Sequence, residues 1–262
     1  MDRSLSKISE ELTVDQAVQL FQETGLRWIL EDGKISGYEV HENGEENMNE
    51  NIIENNQVTI AGEIVSDFTY SHEVCGEGFY IVDIRVQRLS DNFDIIPVMI
   101  SDRLINVSQD HKGAFISICG QFRSYSRQRT GKNKLMLYVF ARTVDFFVED
   151  IENMHLANQI YLDGFICKDP VHRKTPLGRE ITDLFVAVNR PYGKTDYIPC
   201  ICWGRTAVFA ATLSIGEHCI IQGRIQSREY IKKLDDENTE RRVAFEVSVK
   251  RLDIAEEDYS AS

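Results

Sequence analysis

Six cysteines (Cys75, Cys119, Cys167, Cys200, Cys202, Cys219) stand in the 262 residues without one C-x-x-C pair, and most lie in apolar runs. A disulfide framework or a thioredoxin-type redox centre is therefore not expected. Cys200 and Cys202 share one face of a strand, but no second Cys/His pair at ligand spacing accompanies them, so they read as buried small hydrophobes rather than as a zinc site. The six histidines (His41, His72, His111, His155, His172, His218) are scattered, and H-E-x-x-H, G-x-S-x-G and a glycine-rich phosphate loop are all missing. We expect no catalytic residues, no metal and no cofactor. No apolar run approaches the ~18 residues of a membrane helix, and residues 1–11 lack the apolar core of a signal peptide. A cytoplasmic protein without a membrane partner is the expectation.

What is present begins with charge. The formal net charge is −13, from 29 basic and 42 acidic residues. Residues 1–55 alone hold 4 basic and 13 acidic side chains, while 151–254 hold 15 and 14. The acidity sits at the ends of the chain, and the body is close to neutral. What decides a polyanion site is where the cations stand.

The body repeats itself. Asn56-Gln57-Val58-Thr59-Ile60-Ala61-Gly62 returns as Asn158-Gln159-Ile160-Tyr161-Leu162-Asp163-Gly164, and Ile96-Pro97 as Ile198-Pro199, at one common offset. Gly120 answers to Gly223, Ser124 to Ser227 and Asp145 to Asp253, the second copy having a longer hairpin near 234–240. Copies of this size are ordinary domains.

Each copy reads as five strands. In the second they cover 160–167, 180–189, 197–203, 218–230 and 242–252, parted by Pro176-Leu177-Gly178, Pro191-Tyr192-Gly193 and Gly216. In the first they cover 57–65, 78–88, 94–100, 114–127 and 135–146. Residues 205–213 alone look helical, with Ala207, Ala210, Ala211 and Leu213 on one side. Five strands with a helix between the third and fourth is the order of the OB barrel. The expected fold is all-β in its main body, with two tandem OB barrels after a small α+β N-terminal module.

Aromatics and cations mark the second copy. Along 197–203 the period of two puts Ile198, Cys200 and Cys202 on a core face and Tyr197, Ile201 and Trp203 on the other. Unpaired bases stack on such aromatics at about 1–3 kcal/mol each. Tyr230 and, in the Pro-Gly loop, Tyr192 extend the platform. Arg173, Lys174, Arg179, Arg190, Lys194 and Arg205 surround it, and Arg224, Arg228, Lys232 and Lys233 run along the strand of Tyr230. Taken singly each is a solvated charge; the cluster suits a single-stranded backbone.

Residues 164–230 resemble the bacterial single-stranded DNA-binding protein family. The resemblance rests on Thr175-Pro176-Leu177-Gly178, Phe185-Val186-Ala187-Val188-Asn189-Arg190, Asp196-Tyr197-Ile198-Pro199, Trp203-Gly204-Arg205 and Gly223-Arg224-Ile225-Gln226-Ser227-Arg228-Glu229-Tyr230. It implies an OB barrel coating unpaired DNA without sequence preference, in replication, recombination and repair, with Tyr197, Trp203 and Tyr230 as stacking residues. At the corresponding positions of the first copy stand Ile95, Ser101 and Arg127, so that copy reads as degenerate. By analogy with relatives that bring four barrels together, the chain is expected to form a homodimer.

The ends of the chain carry features of their own. Thr13-Val14-Asp15-Gln16 is a capping box before an apolar helical face of Val14, Ala17, Val18 and Phe21. Residues 27–30 and 35–40 about Asp32-Gly33 read as a hairpin. Acidic charge favours this module (1–42) as a docking point for replication proteins over a duplex reader. A linker (43–55), the barrels (56–150 and 151–254) and an acidic tail (255–262) complete the division. Two rival readings are a primosome-type OB adaptor that binds mainly proteins and an RNA-binding OB protein, since stacking does not sense the 2′-OH.

Overall fold

The computed structural model describes residues 27–31, 34–39, 55–88, 90, 92–129, 132–147, 158–233 and 239–255. The helix expected near 13–21, most of the linker, the hairpin tip at 234–238 and nearly all of the acidic tail lie outside them. The chain divides into two compact units, 1–52 and 53–262. In the first, β1 (Arg27–Glu31) and β2 (Lys34–Glu39) form the antiparallel hairpin expected around Asp32-Gly33, with Trp28 opposite Tyr38.

The second unit is built from two rings of strands. The first ring holds β3 (Asn56–Ile64), β5 (Glu77–Gln87), β6 (Phe93–Ser101), β7 (Phe115–Arg129) and β8 (Lys132–Phe147), with a short β4 (Thr69–Val74) on β5. β3 pairs with β7, β7 with β8, β8 with β6 in parallel, β6 with β5, and β5 returns to β3. The second ring repeats this circuit with β9 (Asn158–Ile166), β13 (His218–Lys233), β14 (Thr239–Ile254), β12 (Lys194–Trp203) and β11 (Glu180–Arg190), and β10 (Val171–Lys174) answers to β4. Closure leaves few free sheet edges. Alternation fills each interior: Ile60, Ile84, Ile96 and Val139 in one ring, Leu162, Val186, Ile198 and Val247 in the other, all fully buried.

Glycine permits the closure. β3 and β9 must each cross a second strand where they bend. A Cβ on Gly62 would run into the Arg85 carbonyl, and one on Gly164 into the Ala187 carbonyl.

The rings join through β3 and β9, which pair antiparallel with Val58 opposite Ile160, its own counterpart in the repeat. An approximate two-fold axis therefore passes between equivalent residues. Asn56 exchanges two hydrogen bonds with the Phe122 backbone, and Asn158 does the same with Ile225.

The observed elements extend the sequence expectations. β4 and β10 are exposed hairpin arms whose residues show no alternation to read. β13 and β14 run further than expected because their outer halves pair with each other beyond the ring. The helix α1 (Arg205–Ala210) is shorter than 205–213; Ala207 and Ala210 are buried, and the Thr182 hydroxyl donates to the Ala207 carbonyl. Among the described residues no helix is long and apolar enough to cross a membrane.

Candidate nucleic-acid interface

The outer face of β11 and β12 is set by their register. Ala187 lies opposite Tyr197, Phe185 opposite Pro199, Asp183 opposite Ile201 and Ile181 opposite Trp203. Ile198, Cys200 and Cys202 fill the interior, as the period of two requires. Tyr197 is exposed and Trp203 half-buried, but Ile201 between them is buried, so the face is two aromatic stations rather than an open row.

Cations cap the aromatics. Lys168 Nζ lies 4.3 Å from the Phe185 ring centre, and Phe185 stacks with Tyr197 at 6.4 Å and 15°. The Arg179 guanidinium stands 5.9 Å from the Trp203 ring and that of Arg228 5.9 Å from Tyr230. Lys168 and Phe185 were not singled out as site residues by their sequence; the signal was Phe185 sitting two residues from Ala187, which faces Tyr197. Tyr230, paired with Arg242, stands on the outer arm of the β13–β14 hairpin, away from the Tyr197–Trp203 strand. Tyr192 falls in a 3-10 turn at Pro191–Gly193, and its side chain is outside the described residues.

The cations divide into two groups. Arg179, Lys194 and Arg205 are exposed, and Arg228 is half-exposed beside Glu246. Arg173 and Lys174 belong to surface pairs with Asp183 and Glu180. Arg190 and Arg224 sit at the junction of the rings. There Asp196 is fully buried and accepts from the Ser124 backbone at 2.6 Å, while Ser124 Oγ accepts from the Tyr197 backbone at 2.8 Å. Arg190 Nε lies 2.9 Å from Asp196, although neither of these two atoms has a hydrogen-bond partner in good alignment. On the other side of the pseudo-axis Asp94, also fully buried, accepts from the Ser227 backbone at 2.7 Å, from Arg88 at 2.6 and 2.7 Å and from Arg224 at 3.2 Å.

Burial raises the Asp196 carboxyl above its usual range despite Ser124, Arg190 and Arg123. Burial likewise lowers Arg123 and Arg224, whereas the Asp94 hydrogen bond raises Arg88. Among the described residues no three His, Cys, Asp or Glu side chains gather as a metal would require.

The family model "Single-strand binding protein family" matches residues 157–254. The second ring matches that family. A single-stranded DNA-binding protein of Halalkalibacterium halodurans is 35% identical over 95 residues, which are 34% of this chain and 54% of the relative. Single-stranded DNA-binding protein A of Bacillus subtilis is 34% identical over 82 residues, covering 29% and 48%. The chain thus spans about half the length of the curated relatives it matches. A likeness of fold reaches further: a single-stranded DNA-binding protein from Thermus aquaticus superposes with a TM-score of 0.63 at 20% identity, over 79% of this chain and 96% of that one.

Proposed function

We propose that the chain binds single-stranded DNA without sequence preference, in replication, recombination and repair, through two tandem OB barrels. Bases stack on Tyr197, Trp203 and Tyr230, with Tyr192 beside them, over a groove supplied with charge by Arg179, Lys194, Arg205 and Arg228. The observation that carries this reading is the cation set over each aromatic station, Lys168 on Phe185 beside Tyr197 and Arg179 on Trp203. Such pairs offer a base a π-face and its phosphate a charge in one place. Arg224 serves the site indirectly, by pairing across the junction with Asp94 of the first barrel, and Arg190 by placing its charge beside Asp196, whose carboxylate reaches the Ser124 backbone.

The same reading makes the chain a homodimer of four barrels and gives residues 1–42 the role of docking replication proteins. It is non-enzymatic and works without a cofactor, in the cytoplasm at the nucleoid.

Titration of oligo-dT, oligo-rU and duplex DNA at two salt concentrations tests the proposal. Tight dT binding that survives moderate salt, with weak duplex binding, is expected. Equal rU binding would turn the reading toward RNA. Weak binding that vanishes with salt would turn it toward a protein adaptor. Trp203→Ala should weaken dT binding by about 1–3 kcal/mol, one stacked base, and wild-type affinity in that variant would refute the site.

A further inference from the structure

One stacking residue of the second ring is held in place by the first. β12 pairs with β14 at Cys200 and Ile201, and Tyr197 lies beyond that pairing. Its backbone N–H finds an acceptor in the other ring, the Ser124 hydroxyl of β7 at 2.8 Å. Ser124 is buried and is held in turn: its own N–H donates to the carboxylate of Asp196, the residue before Tyr197, at 2.6 Å. Two hydrogen bonds thus clamp the Asp196–Tyr197 segment to β7. Backbone donors away from water need an acceptor, so the hydroxyl fixes the strand at the point from which the Tyr197 ring projects.

The ring itself has little else to direct it. It is 46% exposed and meets its own barrel through Phe185, 6.4 Å away at 15°. The neighbours of Ser124 are engaged elsewhere. Arg123 donates to Gln121 at 2.8 and 3.2 Å and lies 3.8 Å from the Phe140 ring, and the Tyr125 hydroxyl points to Met99 at 3.9 Å. A guanidinium has no acceptor to offer in any case.

The same clamp recurs across the pseudo-axis with a different occupant. Ser227 stands where Ser124 does, and its N–H donates to Asp94 at 2.7 Å. The N–H that reaches its hydroxyl belongs to Ile95, at 3.4 Å. There Asp94 is also taken up by Arg88 and Arg224, so cations carry more of the docking and the hydroxyl less. The shorter hydroxyl bond belongs to the side whose next residue is an exposed aromatic.

We propose that Ser124 of the first ring is a positioning residue for Tyr197 of the second, so that base stacking on one barrel requires the other to be docked against it. This rests on the single-strand reading above, and it gives the first barrel a part in the site that needs no contact with the strand.

The test is a double-mutant cycle on the full chain, read as affinity for oligo-dT of about 10 nucleotides, within the ~4–16 that one barrel takes. Ser124→Ala should weaken binding about threefold to tenfold, the worth of one hydrogen bond. In a Tyr197→Ala background the same change should have no further effect, because no ring is left to position. Ser227→Ala removes the equivalent hydroxyl behind Ile95 and should bind dT as wild type does. Urea midpoints of the two serine variants should fall alike, so lost stability cannot explain a difference in affinity. Wild-type affinity in Ser124→Ala, an equal loss with Tyr197 absent, or an equal loss in Ser227→Ala would each overturn the proposal. Ser124→Cys, close in size but a weak acceptor, gives the same reading if the alanine variant does not fold. Wild type that binds no dT, or Tyr197→Ala that binds as wild type, would overturn the single-strand reading at Tyr197 and this proposal with it. That failure is recognisable because it needs no change at Ser124.

Discussion

At the scale of single residues, two buried aspartates do most to shape the molecule. Asp94 and Asp196 occupy the same place in the repeat, and each reaches across to the opposite ring, accepting from Ser227 and Ser124 respectively. Asp94→Ala would leave Arg88 and Arg224 without their carboxylate, and chemical denaturation should register a loss of about 3 kcal/mol, as when one partner of a buried ion pair is removed. Asp196 predicts a pH dependence. Its folded carboxyl titrates above the ordinary aspartate value of 3.8, so the folded state holds the proton more tightly than the unfolded one. Stability from this group is greatest below 3.8 and is lost as the pH rises through the raised value. Wild type should therefore gain on Asp196→Asn as the pH falls through that window in urea titrations; parallel curves would show the carboxyl to be unperturbed. The cysteines give a simpler check. Cys202 and Cys219 are pushed up to about 12 and Cys200 well above its usual value by burial, so all three remain protonated at neutral pH. A thiol reagent should label exposed Cys75 and Cys119 rapidly and these three only on unfolding.

At the scale of elements, the ring strands and their inward faces were legible because alternation and repeat agree. Ile198, Cys200 and Cys202 read as core and are core. The crossing glycines were legible as a repeated pair, though not which carbonyl they pass. Gly164→Ala must push Ala187 aside, and thermal or urea unfolding should show a loss of roughly 1–3 kcal/mol, as overpacking does; an unaffected midpoint would mean the barrel corner is looser than its geometry implies. What sequence could not reveal was partnership across distance. Arg190 and Arg224 read as two more cations of a groove; Arg190 meets Asp196 within its own β11–β12 hairpin, and only the pairing of β3 with β9 brings Arg224 to Asp94 of the other ring. Ile201 shares the alternation of Tyr197 and Trp203 yet is buried, because burial on an outer face depends on what covers it.

At the scale of the whole described body, the duplication has become a pseudo-symmetric pair held by paired strands, exchanged asparagine bonds and reciprocal aspartates. Such a pair places two outward faces in fixed relation, which suits a long flexible ligand better than a compact one. The reading of that ligand as unpaired DNA depends most directly on Trp203. Trp28 lies in the N-terminal hairpin, and the chain has two tryptophans, so a Trp28→Phe chain reports on Trp203 alone. The measurement to make is the fluorescence of that chain during titration with oligo-dT. Strong saturable quenching by dT, and little by duplex of equal length, is the predicted result. Saturating dT binding that leaves the emission unchanged would contradict the account, because the strand would then be held without a base on Trp203.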